Sequence, residues 1–572
     1  MNIKRKMRVA SGKEKAATVF KNGRVINVFT GEIEPNDIAV EEGMIIGVGT
    51  YEGEEEIDLK GRYVAPGFID GHVHIESSMV TPAQFGEIVL PKGTTTVIAD
   101  PHEIANVAGE DGIRYMLKSA EKTPLDVHMM VPSSVPATTF ETAGAAIDVG
   151  TVRRLRGVPG IHGLGEVMNY PDVIGGGDDI HEKIKAMEGL AIDGHAPGLF
   201  GHGLNAYAAA GVMTDHECFS HDALLERVRQ GMYVHLREGS VTRNVEALLP
   251  AVNSYTSRRL LFCTDDKHPE DIRREGHINY NVNLAIKQGV DAVEAIRMAT
   301  LNAAECYGLK RLGAIAVNRQ ADFIVFSSLE AISPEAVYKQ GRLVAKNDEV
   351  IERTKPIVES VITDSVHVDE KALDFTLPLS QSRVKVIGLI ENNITTNKLV
   401  RDVTVRDGKY MNDPKQDILK LAVIERHKKT GNIGLGLVEG FGFQGGALAM
   451  TIAHDSHNLI VIGDKDESMR EAVRMIIGQK GGIALVAEDG TAKTLPLEVG
   501  GIMTTAPEGT VAATLEKMKH MIRGMGLSPA IKDPFIQLAF LSLPVIPALK
   551  LTDRGLFDVD AFTHTDMEMG DE

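Results

Sequence analysis

Between residues 67 and 308 the chain alternates short apolar, β-prone runs with stretches of helical periodicity, and this limits its fold more than any other feature. Strand-like runs fall at 94–100, 126–131, 160–166, 199–202, 232–236 and 260–265. Helical spacing lies between them, as in Ala223-Leu224-Leu225-Glu226-Arg227-Val228. Roughly 240 residues of β-then-α order suits a (β/α)8 barrel of the TIM type. Such barrels carry their working residues at the C-terminal ends of the strands. The first run, from Tyr63 to Ile69, leads into Asp70-Gly71-His72-Val73-His74. On a strand, residues i and i+2 share a face, so His72 and His74 can ligate one metal ion together.

The ends of the later runs are rich in the same chemistry. Asp100, His102 and Glu103 end the second run, and Glu166 ends the run at 160–166. His195 and His216 follow short apolar segments, His235, Arg237 and Glu238 end the run at 232–236, and Asp265 and Asp266 end the last. Two divalent ions a few ångströms apart need several nitrogen and oxygen donors and a bridging carboxylate. Such a pair lowers the pKa of a shared water, and a nearby free carboxylate can take its proton to a leaving amine. A donor set of imidazoles and carboxylates without thiolate suits manganese, iron or zinc, and the carboxylates tilt it toward manganese or iron.

Outside the barrel the pattern changes. Residues 17–66 show β-like runs at 17–20, 24–28, 37–40 and 44–48, which predict a small antiparallel sheet. Strand-like runs at 320–326 and 336–344 return to complete it. The expected class is therefore α/β: a composite β-sandwich domain (1–66 with 309–360), a metal-bearing (β/α)8 barrel (67–308) and a C-terminal α/β domain (361–572).

The net charge of −18 disfavours nucleic acid and anionic membranes as partners. The three cysteines, Cys218, Cys263 and Cys306, form no CxxC pair, so a reducing, cytoplasmic setting is expected. The basic N-terminus runs into a polar stretch and not an apolar signal core. The apolar segment 534–549 contains Pro544 and Pro547 and is short for a membrane span, so it reads as core packing. Gly175-Gly176-Gly177 and Gly481-Gly482 lack the Lys-Ser/Thr ending of a phosphate loop.

The motif set resembles the amidohydrolase superfamily and, within it, the bacterial and archaeal adenine deaminases. The segments that carry the resemblance are His74-Ile75-Glu76-Ser77-Ser78, Asp100-Pro101-His102-Glu103, Glu166-Val167-Met168-Asn169-Tyr170-Pro171, Asp193-Gly194-His195-Ala196-Pro197, Thr214-Asp215-His216-Glu217 and Thr264-Asp265-Asp266. Ala453-His454-Asp455-Ser456-His457-Asn458 and Lys550-Leu551-Thr552-Asp553-Arg554-Gly555 extend it to the C-terminal part.

The resemblance implies that His72, His74, Glu166, His195, His216 and Asp265 hold two divalent metal ions, manganese with iron or zinc as alternatives. Glu166 would bridge and Asp265 would double as proton shuttle. Glu103 and His102 would act in catalysis, with Glu103 protonating the purine ring, and Arg237, Glu238 and Asp100 would contact the base. The substrate would be adenine, attacked at C6 by hydroxide from the binuclear centre to give hypoxanthine and ammonia, and a homodimer is expected. At Phe200-Gly201-His202-Gly203 the chain departs from a Ser-Gly-Lys-like element of such relatives, and His202 is not assigned as a ligand.

Alternatives within the superfamily are an N-acetyl-sugar-phosphate deacetylase or a cyclic amidase. The surplus C-terminal domain speaks against the first, and the lack of a carboxylatable lysine near Glu166 against the second. An inactive scaffold would have lost ligands that are all retained here. His128 and His162, inside apolar runs, are expected in the core. His454 and His457 are expected to form a structural turn or a domain contact, the alternatives being a metal site or a reach toward the mouth of the barrel.

Overall fold

The computed structural model describes residues 3–391 and 393–569. The first layer is a nine-stranded sheet. It contains β1 (Ala16–Ile26), β2 (Ile33–Glu41), β3 (Met44–Gly49), β4 (Gly53–Asp58) and β5 (Tyr63–Pro66). It also takes in four strands from far along the chain: Phe323–Phe326, Ala336–Lys339, Arg342–Lys346 and Glu349–Val350. The sheet is mixed and not simply antiparallel. β1 is long and irregular between Phe20 and Gly23, so its first half pairs in parallel with β4 and its second half in parallel with β5.

The next eight strands are parallel and follow chain order: β6 (Phe68–Val73), β7 (Thr94–Ala99), β8 (Asp126–Val131), β9 (Ile161–Val167), β10 (Ala191–Gly194), β11 (Thr214–Asp215), β12 (Tyr233–Arg237) and β13 (Leu260–Cys263). β6 to β10 form one sheet and β11 to β13 another. The layer curls until its end meets its beginning: Val73 bridges Asp265 in parallel, and the Asp265 N–H donates to the His72 carbonyl at 2.9 Å. All six residues of β6 are buried, which explains why it reads as a continuous apolar run and not an alternating one. Gly71 is required at this junction, because a Cβ there would lie 2.5 Å from the Leu261 side chain on β13.

The run at 199–202, expected as a strand, is instead the lead-in to a helix, Gly201–Ala209. Four residues with two apolar ones cannot separate a strand from a helix start. The strand that delivers His195 is the shorter β10.

The C-terminal part carries an eight-stranded sheet whose central strands are Ile418–Ile424, Leu459–Gly463, Gly446–Met450 and Gly482–Ala487. Its strands alternate with period two. Leu421, Val423, Leu448, Met450, Ile460, Ile462, Ile483 and Leu485 share an apolar cluster with Val73, Met79, Ile104 and Met129 of the parallel layer. Ala422, Ala447, Ala449, Val461 and Ala484 face the other way, onto the helix Asp466–Gly478. That helix buries Met469, Ala472, Val473 and Ile476, the i, i+3, i+4, i+7 stripe of an amphipathic helix. One apolar core thus joins the C-terminal sheet to the parallel layer. The apolar segment from 534 forms a short helix, Pro534–Ala539, with Phe535 and Leu538 buried in that same core. Among the described residues no helix is long and apolar enough to cross a membrane.

Candidate metal and active site

The C-terminal ends of the parallel strands bring the expected ligands together. Glu166 lies at the centre, with a histidine pair facing each of its oxygens. Oε1 is 3.9 Å from His72 Nε2 and 3.4 Å from His74 Nε2. Oε2 is 2.8 Å from His195 Nδ1 and 3.3 Å from His216 Nε2. Within each pair the ring nitrogens approach to 3.2 Å. Asp265 Oδ1 joins the first pair, 3.1 Å from His74 Nε2. His102 Nδ1 is 3.3 Å from Glu166 Oε1.

Several backbone contacts aim these groups. The Asp70 carboxylate accepts the backbone N–H groups of His72 and Thr264 at 3.2 and 3.1 Å and the Thr264 hydroxyl at 2.5 Å, locking the end of β6 to the end of β13. His74 Nδ1–H donates to the Asp100 carbonyl at 2.9 Å, which leaves Nε2 free to face the cluster. Asp100 Oδ2 accepts the Glu166 N–H at 2.9 Å. That approach needs Gly165, where a Cβ would sit 2.1 Å from the same oxygen. Asp265 adopts a left-handed backbone, φ 58°, uncommon for a residue with a side chain and frequent at functional sites.

Electrostatics hold the carboxylates ionised. Burial pushes Glu166 upward, but hydrogen bonds from His102, His195 and His216 outweigh it and bring the group well below the ordinary range. Asp265 behaves likewise, with Arg237 and His74 overcoming its burial. Arg237 Nη1 donates to Glu217 at 2.6 Å and also to Asp265. Burial and the neighbouring imidazoles keep His72 well below its usual pKa, whereas the surrounding carboxylates outweigh burial and raise His74, His195 and His216 above theirs. Four imidazoles, a central carboxylate with one oxygen turned to each pair, and Asp265 fit two divalent cations with nitrogen and oxygen donors.

Beside this cluster lies a partly open pocket between the parallel layer and the C-terminal part. Met450, Ile452, Ile502, Phe535 and Phe540 give it apolar walls, and Glu76, Glu103, Asp266, His454 and His457 give it a polar side. This combination of apolar faces and a few convergent polar groups suits a small ligand.

Of the residues expected at the substrate, Glu103 lines this cavity, and Asp100, His102, Arg237 and Glu238 are not among its walls. Asp100 is turned to the Glu166 backbone, Arg237 to two carboxylates, and Glu238 to Arg243 at 3.5 Å. Asp266 and Glu217 had no role read for them. Asp266 accepts from the Ser77 hydroxyl and borders the cavity. Glu217 lies 3.7 Å from His195 Nδ1 and 3.6 Å from His216 Nε2. Each directly follows an expected ligand, which was the only available signal. His454 and His457 do make a domain contact, and they make it at the cavity, on Glu103.

Asp215, the last residue of β11 and next to His216, is fully buried and accepts from Arg227 Nε at 2.8 Å, while Arg227 also donates to the Ala196 carbonyl at 2.7 Å. This pair anchors the segments that present His195 and His216. Asp215→Ala leaves a buried guanidinium without its carboxylate, and a loss of ~3–5 kcal/mol is expected in urea unfolding. A loss under ~1 kcal/mol would show that the pair does not anchor them.

The fold and this donor set define a hydrolase of the amidohydrolase class: residues 63–344 match the Amidohydrolase family, and residues 393–563 match the Adenine deaminase C-terminal domain. "Adenine deaminase 2" of Carboxydothermus hydrogenoformans is 46% identical over 98% of this chain and 98% of its own. "Adenine deaminase" of Geobacillus kaustophilus is 46% identical with the same coverage, and that of Nitratidesulfovibrio vulgaris is 46% identical over 97% of each chain. A solved L-hydantoinase from Arthrobacter aurescens aligns over 59% of this chain and 98% of its own at 15% identity, with a TM-score of 0.45. The chain belongs to the adenine deaminase family.

Proposed function

We propose that the protein hydrolyses adenine to hypoxanthine and ammonia. The observation that carries this reading is the full-length match to adenine deaminases, which includes the C-terminal part that walls the cavity. We read the curled layer as a (β/α)8 barrel over 67–308. A composite β-domain (1–66 with 309–360) and a C-terminal α/β domain (361–572) flank it.

His72, His74 and Asp265 would hold one divalent ion, His195 and His216 a second, and Glu166 would bridge them. The carboxylate share of the donors favours manganese over zinc. Such a pair, when bound, lowers the pKa of water so that hydroxide is available near neutral pH. The protein's own groups supply the rest. Asp265 takes the proton of the water that adds to C6 and delivers it to the departing amine. Glu103, on the polar side of the cavity, is held ionised by His454, His457 and His102 in spite of its burial, and it relays a proton to a ring nitrogen, which lets the ring accept the incoming electron pair. The C6–O bond forms, the C6–N bond breaks and ammonia leaves, and the new C6–OH gives its proton to the freed Asp265, which releases it to solvent and so balances the one passed to the ring. Arg237 holds Asp265 and Glu217 in place, and Asp100 holds Glu166.

The test is ammonia and hypoxanthine release from adenine, alongside metal analysis. Purified enzyme is expected to carry about two metal equivalents, lose at least ~100-fold in rate on chelation, and recover with manganese. No ammonia from adenine at any metal loading would refute the reading.

A further inference from the structure

Glu103 stands in the first turn of a barrel helix, His102–Ala120; besides the adjacent His102, whose Nε2 lies 3.3 Å from Oε1, the groups that hold its carboxylate come from the far end of the chain. His454 Nδ1 lies 2.7 Å from Oε1, and His457 Nε2 hydrogen-bonds to Oε2. Each oxygen is therefore met by one imidazole of the C-terminal part. All three residues are buried at the edge of the cavity.

The two imidazoles are themselves fixed. The His454 ring stacks on Phe540, with centroids 4.4 Å apart and planes at 24°. His457 Nδ1 accepts the Ala453 N–H at 3.2 Å. A neutral imidazole that accepts at Nδ1 carries its hydrogen on Nε2, so His457 turns a donor and not a lone pair toward Glu103. Arg426, wholly buried, spends its guanidinium on backbone carbonyls, among them those of His457 and of Gly500 at 2.9 Å. His457 has a left-handed backbone, φ 52°, a conformation that side-chain-bearing residues hold only where their surroundings dictate it. This arrangement is a built hydrogen-bond clamp. The same three groups lie close enough together to suggest a further metal site, but the donor on His457 opposes that.

We propose that His454 and His457 are positioning residues for deamination, which fix the Glu103 carboxylate at the ring edge of the base and, through His454, supply the proton it passes on. The proposal rests on the adenine reading above and makes the C-terminal domain part of the machinery of the reaction. Burial lowers the proton affinity of His454, but the Glu103 carboxylate more than offsets this and raises its pKa to about 9, so it holds a proton to give.

The test uses the full-length, metal-loaded enzyme. His454→Ala and His457→Ala are each expected to lower kcat for adenine ~100-fold, with KM moved by less than about threefold and metal content unchanged. His454→Asn places an amide N–H where Nδ1 was, and His457→Gln places one where Nε2 was. Each is expected to recover about tenfold of the loss. In a crystal structure of the double alanine variant the Glu103 carboxylate should have left its present position. A kcat within about threefold of wild type, or a Glu103 that keeps its place in that crystal, would overturn the proposal. So would a third metal equivalent in the wild type that disappears with the two histidines. A wild-type enzyme inert toward adenine would instead refute the substrate reading, and the crystal structure would still decide the clamp.

Discussion

Asp265→Asn is expected to abolish adenine turnover while leaving the chain folded. Asn is among the residues that best tolerate the left-handed backbone that Asp265 adopts, so the substitution keeps the local geometry. It removes the charge that Arg237 and His74 hold in place, and with it the capacity to accept and return a proton. Loss of a positioned acid–base group costs ~10²–10⁴-fold, and the upper end is expected because Asp265 would also leave the metal set. Ammonia release measured beside circular dichroism and metal analysis checks this. A variant with turnover within tenfold of wild type, at full metal load, would end the shuttle assignment.

Glu166→Gln is expected to be as severe by another route. The backbone contacts of this residue, its N–H to Asp100 and its carbonyl to the Ser133 hydroxyl at 2.5 Å, do not depend on the carboxylate. The fold should therefore survive. What is lost is the one negative group that both histidine pairs share. An amide cannot bridge two cations and turns an N–H toward an imidazole, so at least one metal equivalent should be missing, with turnover down ~10⁴-fold or more. Retention of both equivalents, measured by elemental analysis after gel filtration, would show that Glu166 does not bridge.

The parallel layer was legible because β strands buried on both faces leave continuous apolar runs, and each run ended in chemistry: His72 in β6, Asp100 after β7, Glu166 in β9. That these groups converge follows from one rule, that such strands share a C-terminal end. The strand before His195 was misplaced because β10 is only four residues long and its neighbour Leu199-Phe200 is more apolar. The parallel pairing within the first sheet was not legible either, since nothing local marks one long strand as meeting two partners along a single edge. The least readable part was the clamp on Glu103. Neither Glu103 nor His454 carries any local sign of the other, because hundreds of residues separate them and only the apolar face of the C-terminal sheet brings them together.

The order in which the ribosome releases this chain matters for the same contact. Every residue that would grip a cation, from His72 to Asp265, emerges well before His454. At typical synthesis speeds the interval is roughly 10–40 s. The whole donor cluster is therefore made before the sheet that carries His454 and His457 onto Glu103.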